Sequence, residues 1–324
     1  RGIGHRSGMG RLPGNDVAHM RRLIALTIAF PFPVHAHQEP GAEHWWTLDP
    51  WIVVPMLLFA GFYARGILIL RRRSDTSHTD WTRIASYCAG MAAAFIALIW
   101  PLDALGEISF AAHMAQHMML IAVAAPLFAF AQPKAPLLIA MPSSWRRLNS
   151  RLAGVHRLLR LLSRPGPAFA IHGALIWIWH APLLFEAALQ SRWIHIAEHA
   201  AFFGSGLLFW NAMRRTGLSG GSGYGTAVVW IVATLMHTGL LGALITFSPR
   251  LLYPHYANVS DAPLLPMDDQ QLAGLLMWIP AGFCYLIAGL SFAAAWLRLA
   301  QRGEQGTGAS NSASPPEVSA ADSR

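Results

Sequence analysis

The chain has 324 residues, 54% of them hydrophobic and only 12% charged. A soluble domain carries about 25% charged residues, so the composition excludes a soluble globular protein and points to the membrane. The formal net charge of +8 is no sign of nucleic acid, because Lys and Arg in so apolar a chain serve topology.

From the start of the chain, the numbered sequence opens on Arg1. Residues 20–36, MRRLIALTIAFPFPVHA, have the basic start, short apolar stretch and Val-x-Ala exit of a secretory signal. Met20 reads as the initiator and Ala36 as the cleavage site, with residues 1–19 as upstream sequence. An uncleaved anchor is the alternative, and both place His37 outside the cytoplasm. Cleavage would make His37 the N-terminus of a periplasmic segment, residues 37–50, whose α-amine and imidazole can chelate copper beside His44.

Membrane crossing takes about 20 mostly apolar residues. Seven segments qualify within a membrane domain of residues 51–302: 51–70, 84–103, 108–131, 167–189, 193–213, 225–247 and 271–298. The connections alternate in charge. Arg71, Arg72, Arg73 and Arg83 follow the first; Lys134, Arg146, Arg147, Arg151, Arg157, Arg160 and Arg164 follow the third; Arg214 and Arg215 follow the fifth; Arg298 and Arg302 end the seventh. The opposite connections hold only Arg192 and Arg250. Basic loops stay in the cytoplasm, so the expectation is an all-α polytopic protein of seven transmembrane helices. Its N-terminus lies outside and its C-terminus inside, in a bacterial inner membrane. Residues 143–163 repeat apolar positions at helical spacing between arginines, the pattern of an amphipathic helix on the inner surface or of a solvated loop helix. Residues 303–324, rich in Gly, Ser, Ala and Pro, read as a disordered tail.

Orientation converts sequence position into depth, at about 1.5 Å per residue of helix. His113 and His117 then lie just below the outer surface, as do His180 on the fourth segment and His195, Glu198 and His199 at the start of the fifth. Met236 and His237 come near mid-membrane, and His172 lies toward the inner side. Asp103 and Glu107 flank an outer turn, and Asp268 and Asp269 precede the seventh segment, followed by Gln270 and Gln271. Ionisable side chains are costly in lipid and face a bundle interior or a cavity. His113 and His117 share one helix face by their i, i+4 spacing, and His195 and His199 repeat it.

Neutral imidazole suits copper, zinc and iron, and thioether favours Cu(I). Cys88 and Cys284 both lie in apolar runs without a CxxC pair, so a metal site here rests on His, Met and carboxylates. The ligand candidates are His113, His117, His195, His199, His180 and His237. Glu198, Asp268, Asp269, Met114 and Met118 are candidates to orient ligands or guide the ion. Met114, Met118 and Met119 equally read as packing, isolated histidines as helix–helix hydrogen-bond partners, and Asp268 and Asp269 as a cap on the seventh helix.

Two other chemistries fit the same residues. Histidines on facing helices can hold haem b, although more of them share this depth than two axial positions need. His195-Ile-Ala-Glu198-His199 has the H-x-x-E-H form of zinc peptidases, although no large soluble domain is present to hold a peptide.

The segments HMAQHMMLIAVAAPL (113–127), WIWHAPLLFEAAL (177–189), HIAEHAAFF (195–203), MHTGLLGALITFSPRLLYPHY (236–256) and DDQQLAGLLMWIPAG (268–282), in this order, resemble the multi-span CtaG-type cytochrome c oxidase assembly factors. The resemblance covers most of residues 50–300. It implies a seven-span plasma-membrane protein that helps mature haem-copper oxidase by handling copper, with an oxidase subunit or another copper chaperone as partner. It also implies that His113, His117, His180, His195, His199 and Asp269 belong to the family's polar set. The expected function is therefore non-enzymatic: copper, as Cu(I), is bound at an outer-leaflet histidine cluster and handed to the oxidase.

Overall fold

The computed structural model describes residues 46–73, 80–219, 221–260 and 262–312. The signal segment 20–36 and the copper-chelating candidates His37 and His44 lie outside the described residues. What is described is helical, joined by short turns and one 3₁₀ turn.

Helix α1, Pro50–Arg72, starts where Asp49 accepts a hydrogen bond from the Trp51 amide (2.9 Å) and Pro50 occupies the first turn. It ends on Arg71 and Arg72. Helix α2, Trp81–Leu98, is capped by Asp80, which accepts from the Thr82 amide (3.1 Å) and hydroxyl (2.7 Å). The second expected span, 84–103, lies within a candidate membrane span, Trp81–Ile108, that has a turn inside it. After Leu98 the chain turns through a cis Trp100–Pro101 bond into a short helix α3, Leu102–Ile108, which carries Asp103.

Helix α4 spans Phe110–Ala131. Over Met119–Ala124 it widens into a π-helical turn directly after His117. Such a turn shifts the hydrogen-bond ladder. The Ile121 carbonyl there accepts the Trp210 indole N–H at 3.0 Å.

A short helix α5, Lys134–Ala140, packs against α1. A Cβ on Gly66 would collide with the Pro136 carbonyl, so the two backbones touch there. The amphipathic stretch expected over 143–163 is two helices, α6 (Ser143–Arg151) and α7 (Ala153–Leu162), broken at Leu152. Neither buries a residue, and Trp145, Leu148, Leu158 and Leu161 are exposed.

The fourth expected span, 167–189, is a broken pair. Helix α8, Pro165–Trp179, and helix α9, Pro182–Gln190, meet at 72°. The residue before a proline is pushed out of the helical region; Ala181 is extended (φ −63°, ψ 128°), and the chain bends there.

Helix α10, Arg192–Gly217, is followed by α11, Gly221–Thr246, a 3₁₀ turn at Pro254–Asn258, and α12, Pro266–Ser312. Helices α11 and α12 approach through small residues: a Cβ on Gly242 would sit 2.8 Å from the Gly274 carbonyl oxygen. Helix α12 runs past Arg302 to Ser312, into the segment expected to be a structureless tail.

Among the described residues five helices are long and apolar enough to cross a membrane, and six if the bent pair counts as one span. The segment that falls short is α10. It has the length, at 26 residues, but Arg192, Glu198, Arg214, Arg215 and the two histidines His195 and His199 lower its hydropathy.

Candidate metal centre

The cluster is built by α4 and α10, with α8, α9 and the 250–256 loop closing over it. The i, i+4 spacing brings His113 and His117 to ring centroids 4.5 Å apart, and His195 and His199 to 4.2 Å. Packing of α4 beside α10 then merges the pairs: His113 lies 5.3 Å from His195, and His117 lies 5.3 Å from His199. His180, at the end of α8, is 6.0 Å from His117. Glu198 reaches in between, with Oε2 3.8 Å from His117 Nε2.

Two sets of ligand atoms lie within 4.8 Å of one another: His113, His195 and His199; and His113, His117 and Glu198. His113 belongs to both. All are buried except His195, which is half-buried at the rim. Among the described residues, His113 Nε2, both nitrogens of His117, the Nε2 atoms of His180, His195 and His199, and both oxygens of Glu198 are buried without a hydrogen-bond partner. An unsatisfied buried polar atom costs about 1–3 kcal/mol, so this cluster offers its lone pairs and donors to a ligand or to water.

The surroundings fix which nitrogens are lone pairs. Tyr256 donates its hydroxyl proton to the Gly106 carbonyl (2.9 Å), while His113 Nδ1 lies 3.1 Å from the same oxygen. With its proton already given, that oxygen accepts, so His113 carries its proton on Nδ1 and presents a bare Nε2. His180 Nδ1 faces the Ile176 carbonyl at 2.7 Å, which likewise leaves Nε2 bare. Such partners set tautomer and ring orientation in metal sites. Tyr253 holds the His180 turn by donating to the His180 carbonyl (2.8 Å). Burial, with Glu198 adding to it, holds the Tyr253 hydroxyl above the ordinary tyrosine range. Burial does the same to Tyr256, reinforced by Asp269 and Glu198. Both hydroxyls therefore remain donors.

The carboxylates take different parts. Asp269 is buried and accepts from Ser109 Oγ (2.8 Å) and from the amides of Phe110 (2.6 Å) and Ala111 (3.1 Å). It therefore caps α4, the helix of His113 and His117, and not its own helix. Asp268 is exposed in the first turn of α12. Gln270 accepts from the Leu252 amide (2.7 Å) and donates to the Arg250 carbonyl (3.0 Å), which pins the loop that carries Tyr253 and Tyr256. Gln116, one turn from His113, donates to the Ala97 carbonyl and to Asp103, both at 2.8 Å.

His237 is not part of this cluster. It is half-buried against Phe169, with ring centroids 5.5 Å apart, and beside Gly173. Its neighbour Met236 is 68% exposed. His172 is also separate, with Nδ1 3.0 Å from Ser205 Oγ and Nε2 3.3 Å from Tyr285 Oη. Met114 and Met118 belong to the apolar cluster of Phe110, Phe185, Phe202 and Met277.

Tyr253, Tyr256 and Gln116 were not singled out from sequence. The tyrosines sit in a loop after a span, where depth gives no cue. Their signal was the YPHY ending of the 236–256 segment.

No curated protein and no solved structure matches the chain. A family model described as cytochrome c oxidase caa3 assembly factor (Caa3_CtaG) matches residues 61–299, a range that takes in α4, α8, α10, the tyrosine loop and Asp269. By that match, the chain belongs to the cytochrome c oxidase caa3 assembly factor family.

Proposed function

We propose that this assembly factor binds copper as Cu(I) at the α4–α10 cluster and hands it to a subunit of haem-copper oxidase or to another copper chaperone. The observation that carries the reading is the convergence of unpartnered imidazole nitrogens from His113, His195 and His199 within 4.8 Å, beside a second set of His113, His117 and Glu198. Three neutral imidazoles suit a d¹⁰ copper ion that needs few ligands. A ligand at the rim, His195, provides an exchange position for a cargo that must leave. His180 adds a further nitrogen.

The chain crosses the membrane seven times in this reading, with α10 as a full span that tolerates its charges because Glu198 and His199 face the bundle interior. The N-terminus lies outside and the C-terminus inside. What supports this sidedness is a set of contacts. Arg192 at the start of α10 pairs with Asp49 at the start of α1 (3.0 Å), and Asp269 at the start of α12 caps the start of α4. These helix starts share one face with the cluster. The arginines at the ends of α1 and α10 lie on the other, where the positive-inside rule places the cytoplasm. The cluster then opens to the periplasm of a bacterial inner membrane.

Haem b fits less well. His113, His117, Phe185 and Phe202 pack ring on ring, at 5.1 Å for His113–Phe185 and 4.6 Å for His117–Phe202, and a macrocycle many times wider than an imidazole has no slot between them. A zinc peptidase needs a water-bearing face for its substrate, whereas Glu198 is fully buried.

The test is metal content with an absorption spectrum. The protein is purified in detergent, loaded anaerobically with Cu(I), and compared with a His113→Ala, His117→Ala double variant. Stoichiometric copper in the wild type, lost in the variant, with no Soret band, is expected. A Soret band, or copper retained by the variant, would refute the reading. In cells, deletion should leave the oxidase short of copper, with partial rescue by added copper.

A further inference from the structure

Helices α1 and α2 are joined at their ends but lean on different neighbours. Helix α1 packs on α5, where Arg65 also donates to the Ala140 carbonyl (2.8 Å). Helix α2 packs on α4, with Tyr87 against Phe128 at 5.3 Å between centroids. Between α1 and α2 lie two cavities of about 580 and 370 Å³. Ala60 and Met91 line both, so they form one groove along the helices.

The groove has a polar end and an apolar end. Leu48 and Ile99 bound the apolar one. At the other, Arg71 enters the wall with its guanidinium carbon 4.8 Å from the centroid of Trp81. Asp80, the adjoining acid, is engaged in capping α2. Partway along, Tyr63 and Tyr87 stack at 3.6 Å between centroids. Tyr87 spends its hydroxyl on the Phe59 carbonyl (2.8 Å). The Tyr63 side chain, only 4% exposed, keeps a buried hydroxyl with no hydrogen-bond partner among the described residues.

We propose that this groove binds an anionic phospholipid, with its acyl chains along α1 and α2 and its phosphate at Arg71. The walls running from Leu48 and Ile99 to Ala60 and Met91 are apolar and suit an acyl chain, and Arg71 at one end suits a phosphate, which a partner helix does not carry. Charge separates an anionic from a neutral lipid: guanidinium pairs with phosphate through parallel N–H···O bonds, and basic pockets between transmembrane helices favour anionic headgroups. Trp81 is the type of residue that sits at headgroup level. None of this depends on copper at the histidine cluster.

The test is native mass spectrometry of the full-length protein, delipidated in neutral detergent and titrated separately with dioleoyl phosphatidylglycerol and dioleoyl phosphatidylcholine. These lipids share their chains and differ in headgroup charge. One phosphatidylglycerol should be retained about fivefold more tightly than phosphatidylcholine, the effect of one arginine beside an anionic headgroup. Arg71→Gln, at an exposed position, should erase that difference. Ala64→Phe, which fills the groove, should displace both lipids. Where Ala64→Phe does not fold, the smaller change Ala60→Leu, at the point common to both cavities, should weaken both lipids alike. Equal retention of the two lipids by the wild type, or a preference unchanged in Arg71→Gln, overturns the proposal.

Discussion

A carboxylate facing the first turn of α4 meets backbone amides that have no intrahelical acceptor and the positive end of the helix dipole. Asp269 occupies that place, and through it α12 sets the position of the helix that carries His113 and His117. Asp269→Asn keeps the shape but replaces one accepting oxygen by a donor. It should cost about 1–3 kcal/mol, read as a lower melting temperature in detergent, and should reduce copper stoichiometry. An unchanged melting temperature would show that the cap contributes nothing. Tyr256→Phe makes a different cut. It leaves the fold in place but removes the acceptor that holds the His113 proton on Nδ1. Loss of such an outer partner costs about 10–100-fold in metal affinity, so a competition titration with a Cu(I) chelator should show a drop in that range. The histidines and Asp269 were legible in sequence because an ionisable group in an apolar run is conspicuous. Tyr256 was not, because a tyrosine in a loop has many ordinary uses. His237 misled for a related reason: sequence gives depth but not azimuth, and its ring turns toward Phe169 and Gly173.

The helices show where a hydropathy pattern stops being informative. Expected spans at 51–70, 108–131 and 225–247 correspond to continuous helical spans, and the first two stay continuous in spite of Pro55 and Pro126. The segment 167–189 carries the same apolar signal, yet Pro182 bends it by 72°. The bend also places His180 where its ring turns toward His117. The π turn of α4 leads into Pro126, which has no N–H to give the Ile121 carbonyl. It lies immediately after His117 and offers the Ile121 carbonyl to Trp210 on α10. Gly206, one turn before Trp210, permits that approach: a Cβ there would lie 3.2 Å from the Ala125 Cβ. Trp210→Phe keeps an aromatic ring but leaves this buried carbonyl unpaired, at a cost of about 1–3 kcal/mol. The loosened contact joins the helices of His113/His117 and His195/His199. The variant should therefore melt at lower temperature and also bind copper less tightly. Normal copper affinity in a destabilised Trp210→Phe would mean that the cluster is held without the π turn.

At the scale of the whole molecule, the polar groups divide between two faces. One face gathers the starts of α1, α4, α10 and α12, cross-linked by Asp49–Arg192 and by Asp269 with the α4 amides, together with the histidines and the tyrosine loop. The other holds the arginines that end α1 and α10 and the basic helices α6 and α7. A copper carrier that serves an oxidase from outside must turn the first face to the periplasm, and the positive-inside rule demands the same arrangement for an unrelated reason. The agreement can be tested in intact cells. In a background with Cys88 and Cys284 replaced by Ala, Leu183→Cys on α9 is 84% exposed at the cluster face, and Leu158→Cys on α7 is 54% exposed at the basic face. A membrane-impermeant maleimide added outside should label the first and not the second until the membrane is opened. The reverse pattern would place the histidines toward the cytoplasm. Copper would then have to be taken from cytosolic donors, and the cluster would sit on the wrong side for delivery to an oxidase centre assembled from outside.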